Sequence, residues 1–208
     1  IDFSVDPETV NSSENVQVTG SAELLPDNSG VQGDVELWLD TGSGYEYVKS
    51  TSLSSGSFDT DISTAVPGQH DLKVNTTNTD GITGYSSKRF TVNLDVSDVE
   101  TEFNQTGSNY LDVDTQDSTI NITSNISESP YSSISSIDLS FDTPEGETTI
   151  TDSSPELTED RIWYREANVK DELGTSELDM GQYNVTLSAE TANGVKSNYP
   201  EKTFYVQN

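Results

Sequence analysis

A Ser-His-Asp triad needs an imidazole, and this 208-residue sequence supplies a single histidine, His70. It supplies no cysteine, which excludes a thiolate nucleophile, a cysteine-held metal and a disulfide framework. Acidic side chains number 37 against nine bases. Among so many carboxylates, close pairs arise by chance, so the paired acids of a glycosidase identify nothing here. Neither an HExxH zinc motif nor a phosphate-cradling glycine loop occurs. No catalytic residue and no cofactor are expected.

Cations that take oxygen ligands need several carboxylates or carbonyls brought together. The run Asp112-Val113-Asp114-Thr115-Gln116-Asp117 brings three carboxylates to short spacing, as Asp59 and Asp61 do with less company. An EF-hand loop requires Asp or Asn at its fifth position and glycine at its sixth, where this run has Gln116 and Asp117. Solvated acidity is the expected role, with Asp112, Asp114 and Asp117 the candidates should a cation bind.

The formal net charge of −28 is spread along the chain rather than gathered in a tail. A surface this anionic repels phosphate backbones, so nucleic acid is excluded as a partner. Self-repulsion of this size opposes compaction in dilute buffer. At about 1 M salt the screening length falls to roughly 3 Å, and the repulsion is largely removed. With six lysines and three arginines, the sequence reads as one adapted to high salt; an acidic extracellular protein kept soluble by charge is the alternative. No apolar run approaches the roughly 20 residues that span a bilayer, and no direct membrane insertion is expected. The chain starts at Ile1 without a signal-peptide pattern, as a processed or excised ectodomain would. Six Asn-x-Ser/Thr sequons, at Asn11, Asn75, Asn104, Asn121, Asn125 and Asn184, permit glycosylation.

The elements that would position any site follow from an internal repeat. Gly68-Gln69-His70-Asp71-Leu72-Lys73-Val74 answers Gly181-Gln182-Tyr183-Asn184-Val185-Thr186-Leu187. Asp80-Gly81-Ile82 answers Asn193-Gly194-Val195, and Phe90-Thr91-Val92 answers Phe204-Tyr205-Val206. Upstream, Val16-Gln17-Val18-Thr19 matches Ile120-Asn121-Ile122-Thr123, and the segment from Val35 to Thr41 matches that from Ile137 to Thr143. The second copy carries about eleven extra residues before Met180. Within each copy the apolar period is two, the mark of half-buried strands: Val35, Leu37 and Leu39 face one way, Glu36, Trp38 and Asp40 the other. Asp80-Gly81 and Asn193-Gly194 supply the positive φ of tight hairpins.

Asp179-Met180-Gly181-Gln182-Tyr183-Asn184-Val185 has the form Asp-x-Gly-x-Tyr-x-apolar, which resembles the tyrosine corner of immunoglobulin-like sandwiches. The first copy places His70 at the tyrosine's position, on the inward parity with Leu72 and Val74; a structural role is therefore expected over a catalytic one. Through these motifs the chain resembles tandem immunoglobulin-like and fibronectin-III-like domains of bacterial and archaeal surface proteins. Its acidic, Ser/Thr-rich texture looks like that of halophilic archaeal adhesins and surface-layer glycoproteins. The resemblance implies an all-β fold of two tandem immunoglobulin-like β-sandwich domains, 1–93 and 94–208, the second with an insertion before its sixth strand. Phe90, Val92, Leu94 and Val96 keep one alternation across the boundary, so a semi-rigid rod is expected. The stretch 101–117 aligns poorly with the first copy.

Two aromatic features remain. Arg161-Ile162-Trp163-Tyr164-Arg165 falls in the extra segment, with Trp163 roughly level with Phe58 and core packing favoured. Trp38, Tyr45 and Tyr47 share an outward parity that carries Ser140, Glu147 and Thr149 in the second copy, and Lys73 lies on the neighbouring strand. Clustered surface aromatics mark a contact site, since Trp and Tyr dominate binding hot spots. The bland alternative is that Lys73, outer loops or a neighbouring domain cover Trp38. The implied function is a non-enzymatic extracellular module of a cell-surface adhesin or surface-layer protein, acting in attachment and spacing. Its partner would be a protein or glycan on a cell surface, or neighbouring domains of the same chain. The competing function is an accessory region of a secreted hydrolase, with carbohydrate binding as one form of it.

Overall fold

The computed structural model describes residues 1–24, 29–97, 99–104, 108–112, 118–127 and 132–207. The protein is all-β, and its sheets form two sandwich-like domains. The chain divides into two compact units, one of Ile1–Asn93 and a second beginning at Leu94.

In the first unit, β1 (Asp2–Asp6), β3 (Val16–Ser21) and β8 (Ser57–Ile62) form a three-stranded sheet in the order β1-β3-β8. The facing sheet has five strands: β2 (Thr9–Val10), β6 (Gly33–Asp40), β7 (Tyr45–Leu53), β9 (Gly68–Asn78) and β10 (Thr83–Val92). Their spatial order is β2-β10-β9-β6-β7. A short pair, β4 (Glu23–Leu24) with β5 (Ser29–Gly30), stands apart. The second unit repeats the plan. Its small sheet is β11 (Glu100–Phe103), β13 (Thr119–Asn125) and β16 (Ile162–Asn168). Its large sheet comprises β12 (Tyr110–Asp112), β14 (Ile134–Thr143), β15 (Gly146–Asp152), β17 (Gly181–Thr191) and β18 (Glu201–Gln207), in the order β12-β18-β17-β14-β15. Strands β2 and β12 each lie parallel to the last strand of their unit. The poorly aligning stretch thus supplies β11 and β12, the counterparts of β1 and β2.

Alternation builds both cores. In β6 and β9, Val35, Leu37, Leu72 and Val74 are fully buried; Phe3, Val16, Val18 and Phe58 meet them from the opposite sheet. In the second unit Ile137, Leu139, Phe141, Val185 and Leu187 meet Ile120, Ile122 and Trp163. Each such aliphatic side chain, taken fully from water, contributes about 1.5–3 kcal/mol before conformational entropy is set against it. Phe90 and Val92 enter the first core, whereas Leu94 and Val96 enter the second.

The extra length of the second unit is divided. Val16 pairs with Ile62 and Gly20 with Phe58, just as Ser124 pairs with Trp163, so Trp163 holds the register position of Phe58. Trp163 is core, and the Arg161–Arg165 stretch leads into and forms β16 rather than an insertion. Three extra residues precede Trp163 and eight follow it. The latter form α1 (Val169–Leu173) and the loop to β17. Asn168 caps α1 by accepting from the backbone N–H groups of Lys170 and Asp171, and Gly174 ends it in the left-handed conformation. Arg165 Nη2 donates to Glu172 Oε1 at 2.6 Å, holding the insertion to the strand before it.

The Asp-Gly and Asn-Gly dipeptides do not make two-residue hairpins. Only their glycines take positive φ, 80° at Gly81 and 84° at Gly194. Asn78 Oδ1 accepts from the N–H groups of Asp80 and Ile82 and closes a longer loop. In the second unit the side chain of Thr191 accepts from the Val195 N–H.

Candidate functional site

The outer face of the five-stranded sheet in the first unit gathers exposed rings. On β6, Val35, Leu37 and Leu39 turn into the core, leaving Trp38 half-buried on the opposite face. The register between β6 and β7 shifts at Leu37/Trp38: Leu37 lies opposite Lys49 and Trp38 opposite Tyr47, with Val48 the extra residue. A bulge of this kind changes which way the following side chains point. It leaves Tyr45 and Tyr47 outward beside Trp38 and turns Lys49 toward the other sheet, where its ammonium donates to the Asp61 carbonyl at 3.1 Å. Trp38 and Tyr47 meet edge to face with ring centroids 5.6 Å apart. On the other side of β6, Lys73 pairs with Trp38, and its Nζ sits 5.8 Å from the Tyr45 ring centre and 5.1 Å from that of Tyr85.

Tyr85 is the member that sequence reasoning missed. It lies opposite Asn75 across β9 and β10 and is 76% exposed, against 53% for Tyr47 and 45% for Tyr45. A two-residue turn at Asp80-Gly81 would set Tyr85 opposite Thr76; the longer loop sets it opposite Asn75, on the outward parity of Lys73. The charged groups among these rings are engaged locally. Trp38 Nε1–H donates to Glu36 Oε2 at 3.4 Å, and Asp40 Oδ1 accepts from the N–H groups of Gly42 and Gly44. Arg89 pairs with Asp71 through two bonds of 2.9 and 3.3 Å, which holds the guanidinium further above its already high range.

On the same face of the second unit the rings lie elsewhere: Tyr110 and Tyr205 stack across β12 and β18 with ring centroids 5.4 Å apart, while Ser140, Glu147 and Thr149 hold the positions of Trp38, Tyr45 and Tyr47. The Trp38–Tyr47 pair becomes Ser140–Thr149, whose hydroxyls lie 2.7 Å apart. Thr151 donates to Asp138 Oδ1, and Thr203 to Asn184 Oδ1. Small hydroxyls bonded along the sheet replace ring against ring.

The two corner residues occupy matching places. Tyr183 is buried and its hydroxyl donates to the Asp179 carbonyl, four residues upstream, at 2.9 Å. Burial pushes its phenol up first, with the carboxylates of Asp179 and Glu145 adding to the effect. His70 is fully buried, and its Nε2–H donates to the carbonyl of Val66, also four residues upstream, at 2.6 Å. Its Nδ1 faces the Asp40 carbonyl at 3.3 Å. Gly68 and Gly181, two residues before each corner, hold φ of 136° and 153°, where glycine is favoured. An imidazole enclosed by backbone carbonyls offers no nitrogen to a serine hydroxyl.

Of the acidic run, Asp112 ends the short strand β12, while Asp114 and Asp117 lie outside the described residues. Among the described residues no group of three or more His, Asp or Glu side chains gathers as a metal site. The sequon asparagines differ in setting. Asn75 stands on the ring-bearing face opposite Tyr85. The side-chain nitrogens of Asn11, Asn104 and Asn125 donate to Glu14, Glu166 and the Asp160 carbonyl. Asn121 and Asn184 accept from the hydroxyls of Tyr164 and Thr203. Among the described residues no helix is long and apolar enough to cross a membrane.

No family model matches the chain. No curated protein matches it either. Among solved structures it is similar to a segment of two fibronectin type III domains from chicken tenascin: 9% identical, over 98% of this chain and 97% of that one, with a TM-score of 0.51. It is also similar to fibronectin(III)-like modules of CbhA from Clostridium thermocellum, at 14% identity over 99% of this chain and 94% of that one, TM-score 0.33. A tetra-tandem repeat in the extending region of a large adhesion protein is 15% identical over 99% of this chain and 48% of that one, TM-score 0.38. The tenascin likeness shows the fold: two tandem sandwiches of the fibronectin-III and immunoglobulin-like kind. A fold of this breadth of use does not itself define a function.

Proposed function

We propose that this chain is a non-enzymatic extracellular module of a cell-surface adhesin or surface-layer protein of a high-salt organism. Its two sandwiches, 1–93 and 94–208, act as spacers, and the outer face of the first makes the contact. The observation that carries this reading is the cluster of Trp38, Tyr45, Tyr47 and Tyr85 around Lys73, set where the second unit has Ser140 and Thr149. Exposed rings on an acidic surface give up hydration when covered, and Trp and Tyr at the centre of a contact carry much of its energy. The repeat makes the second unit an internal reference, because it keeps the strands but has Ser140, Glu147 and Thr149 in place of Trp38, Tyr45 and Tyr47. His70 and Tyr183 serve the fold, through the bonds their side chains make to Val66 and Asp179.

The test is retention of the purified chain on native cell envelopes in high salt. Trp38→Ala should abolish retention while the circular dichroism spectrum stays that of the wild type. Retention that is unchanged in the variant refutes the contact face.

A further inference from the structure

The geometry points to a neutral glycan as the ligand of this face; the inference rests on the contact-face reading and names its partner. Three observations carry it. First, the rings cross the sheet in a line rather than lining a pit: Tyr85 on β10, Lys73 on β9, Trp38 on β6 and Tyr47 on β7, each on the strand next to the last. Neighbouring strands lie about 4.8 Å apart, so the row spans about 14 Å of flat surface. That shape suits an extended chain of flat rings laid across the strands and gives little hold to a compact ligand.

Second, the charged groups of the face are already engaged. Asp71 is bound by Arg89, Glu36 accepts from Trp38, Asp40 accepts from two backbone N–H groups, and the Lys73 ammonium lies between the rings of Tyr45 and Tyr85. An anionic partner would meet Glu36, Asp40 and Asp71 and would compete with Asp71 and the tyrosine rings for the two cations, Arg89 and Lys73. The chain's net charge of −28 also repels anionic polymers, whether acidic polysaccharide or nucleic acid. Third, what the face leaves open is what a sugar chain requires. The exposed ring faces of Tyr85, Tyr47 and Tyr45 can stack on the C–H faces of pyranose rings, and their hydroxyls exchange hydrogen bonds with sugar hydroxyls. Lys73, already seated over Tyr45 and Tyr85, fixes two of the rings before any ligand arrives, which lowers the ordering cost of binding.

Affinity electrophoresis of the whole chain tests the assignment, in native gels containing a soluble β-glucan, a xylan or a galactomannan, with alginate as the anionic control. Retardation by at least one neutral polysaccharide is expected, with none by alginate. Trp38→Ala and Tyr47→Ala should each weaken the retardation constant tenfold or more, and Thr149→Ala in the second unit should leave it unchanged. Absence of retardation in every neutral gel, with Trp38-dependent retention on envelopes still present, overturns the glycan and leaves a protein as the ligand of the face. Retardation unaffected by both ring variants overturns it as well. A wild-type dimer in sedimentation that Trp38→Ala dissociates, without glycan retardation, assigns the face to a second copy instead. Loss of Trp38 dependence in both assays removes the contact-face reading along with the glycan.

Discussion

At the scale of single residues, the two corners show one requirement met by two chemistries. Each needs a buried donor that reaches the carbonyl four residues upstream; a phenol does this at Tyr183 and an imidazole at His70. Removing the hydroxyl in Tyr183→Phe deletes that bond and should cost on the order of 0.5–1.5 kcal/mol in denaturant melts, with an unchanged m-value. The alkaline behaviour of the wild type follows from the same burial. The folded protein raises the Tyr183 phenol above the ordinary tyrosine value of about 10. Its stabilising effect is therefore complete below about pH 10 and is lost as pH climbs through the raised value, because the unfolded chain ionises first. In a spectrophotometric tyrosine titration, the component missing from Tyr183→Phe should be the late one. A missing component within the ordinary range would place the phenol in solvent.

At the scale of elements, β6 carries the argument. Leu37 and Trp38 are adjacent, yet one is fully buried and the other lies on the outer face. Leu37→Ala should cost about 2–5 kcal/mol, the range for a truncated core leucine. Trp38→Ala should cost about 1 kcal/mol or less, the worth of a cross-strand aromatic pair. Equal and large losses in paired urea melts would mean that the alternation is misread. The strands, the repeat and the outward rings were legible in the sequence because period two and matching blocks are long-range regularities. The bulge at Val48 was not, since a bulge is one residue out of step and leaves no compositional mark. The two-residue strand β2 and the three-residue β12 are too short to show a period, and they are defined by a parallel partner far along the chain. Helix α1, five residues long, carries too few positions for a helical pattern; its sequence signals are the two ends, the capping Asn168 and the terminating Gly174. Tyr85 escaped because its place depends on the loop length, which the Asp80-Gly81 dipeptide understates.

At the scale of the whole molecule, charge governs. With 37 acids and nine bases, each unit folds against its own repulsion, and the charge pairs seen, such as Arg89–Asp71 and Arg165–Glu172, cancel little of it. Raising NaCl or KCl from about 0.1 M to 2 M shortens the screening length several-fold, so the thermal midpoint followed by circular dichroism should rise across that range. A flat or falling midpoint contradicts adaptation to high salt. Function, in this account, belongs to one face of one unit, and the repeat supplies its own control. The most direct measurement therefore exchanges the faces: Trp38→Ser with Tyr47→Thr gives the first unit the side chains that the second already bears at Ser140 and Thr149. Retention of the full chain on native envelopes at high salt should fall at least tenfold in that double variant and stay at the wild-type level in Ser140→Ala with Thr149→Ala. Equal retention by the wild type and both double variants would contradict the assignment of contact to the ring-bearing face.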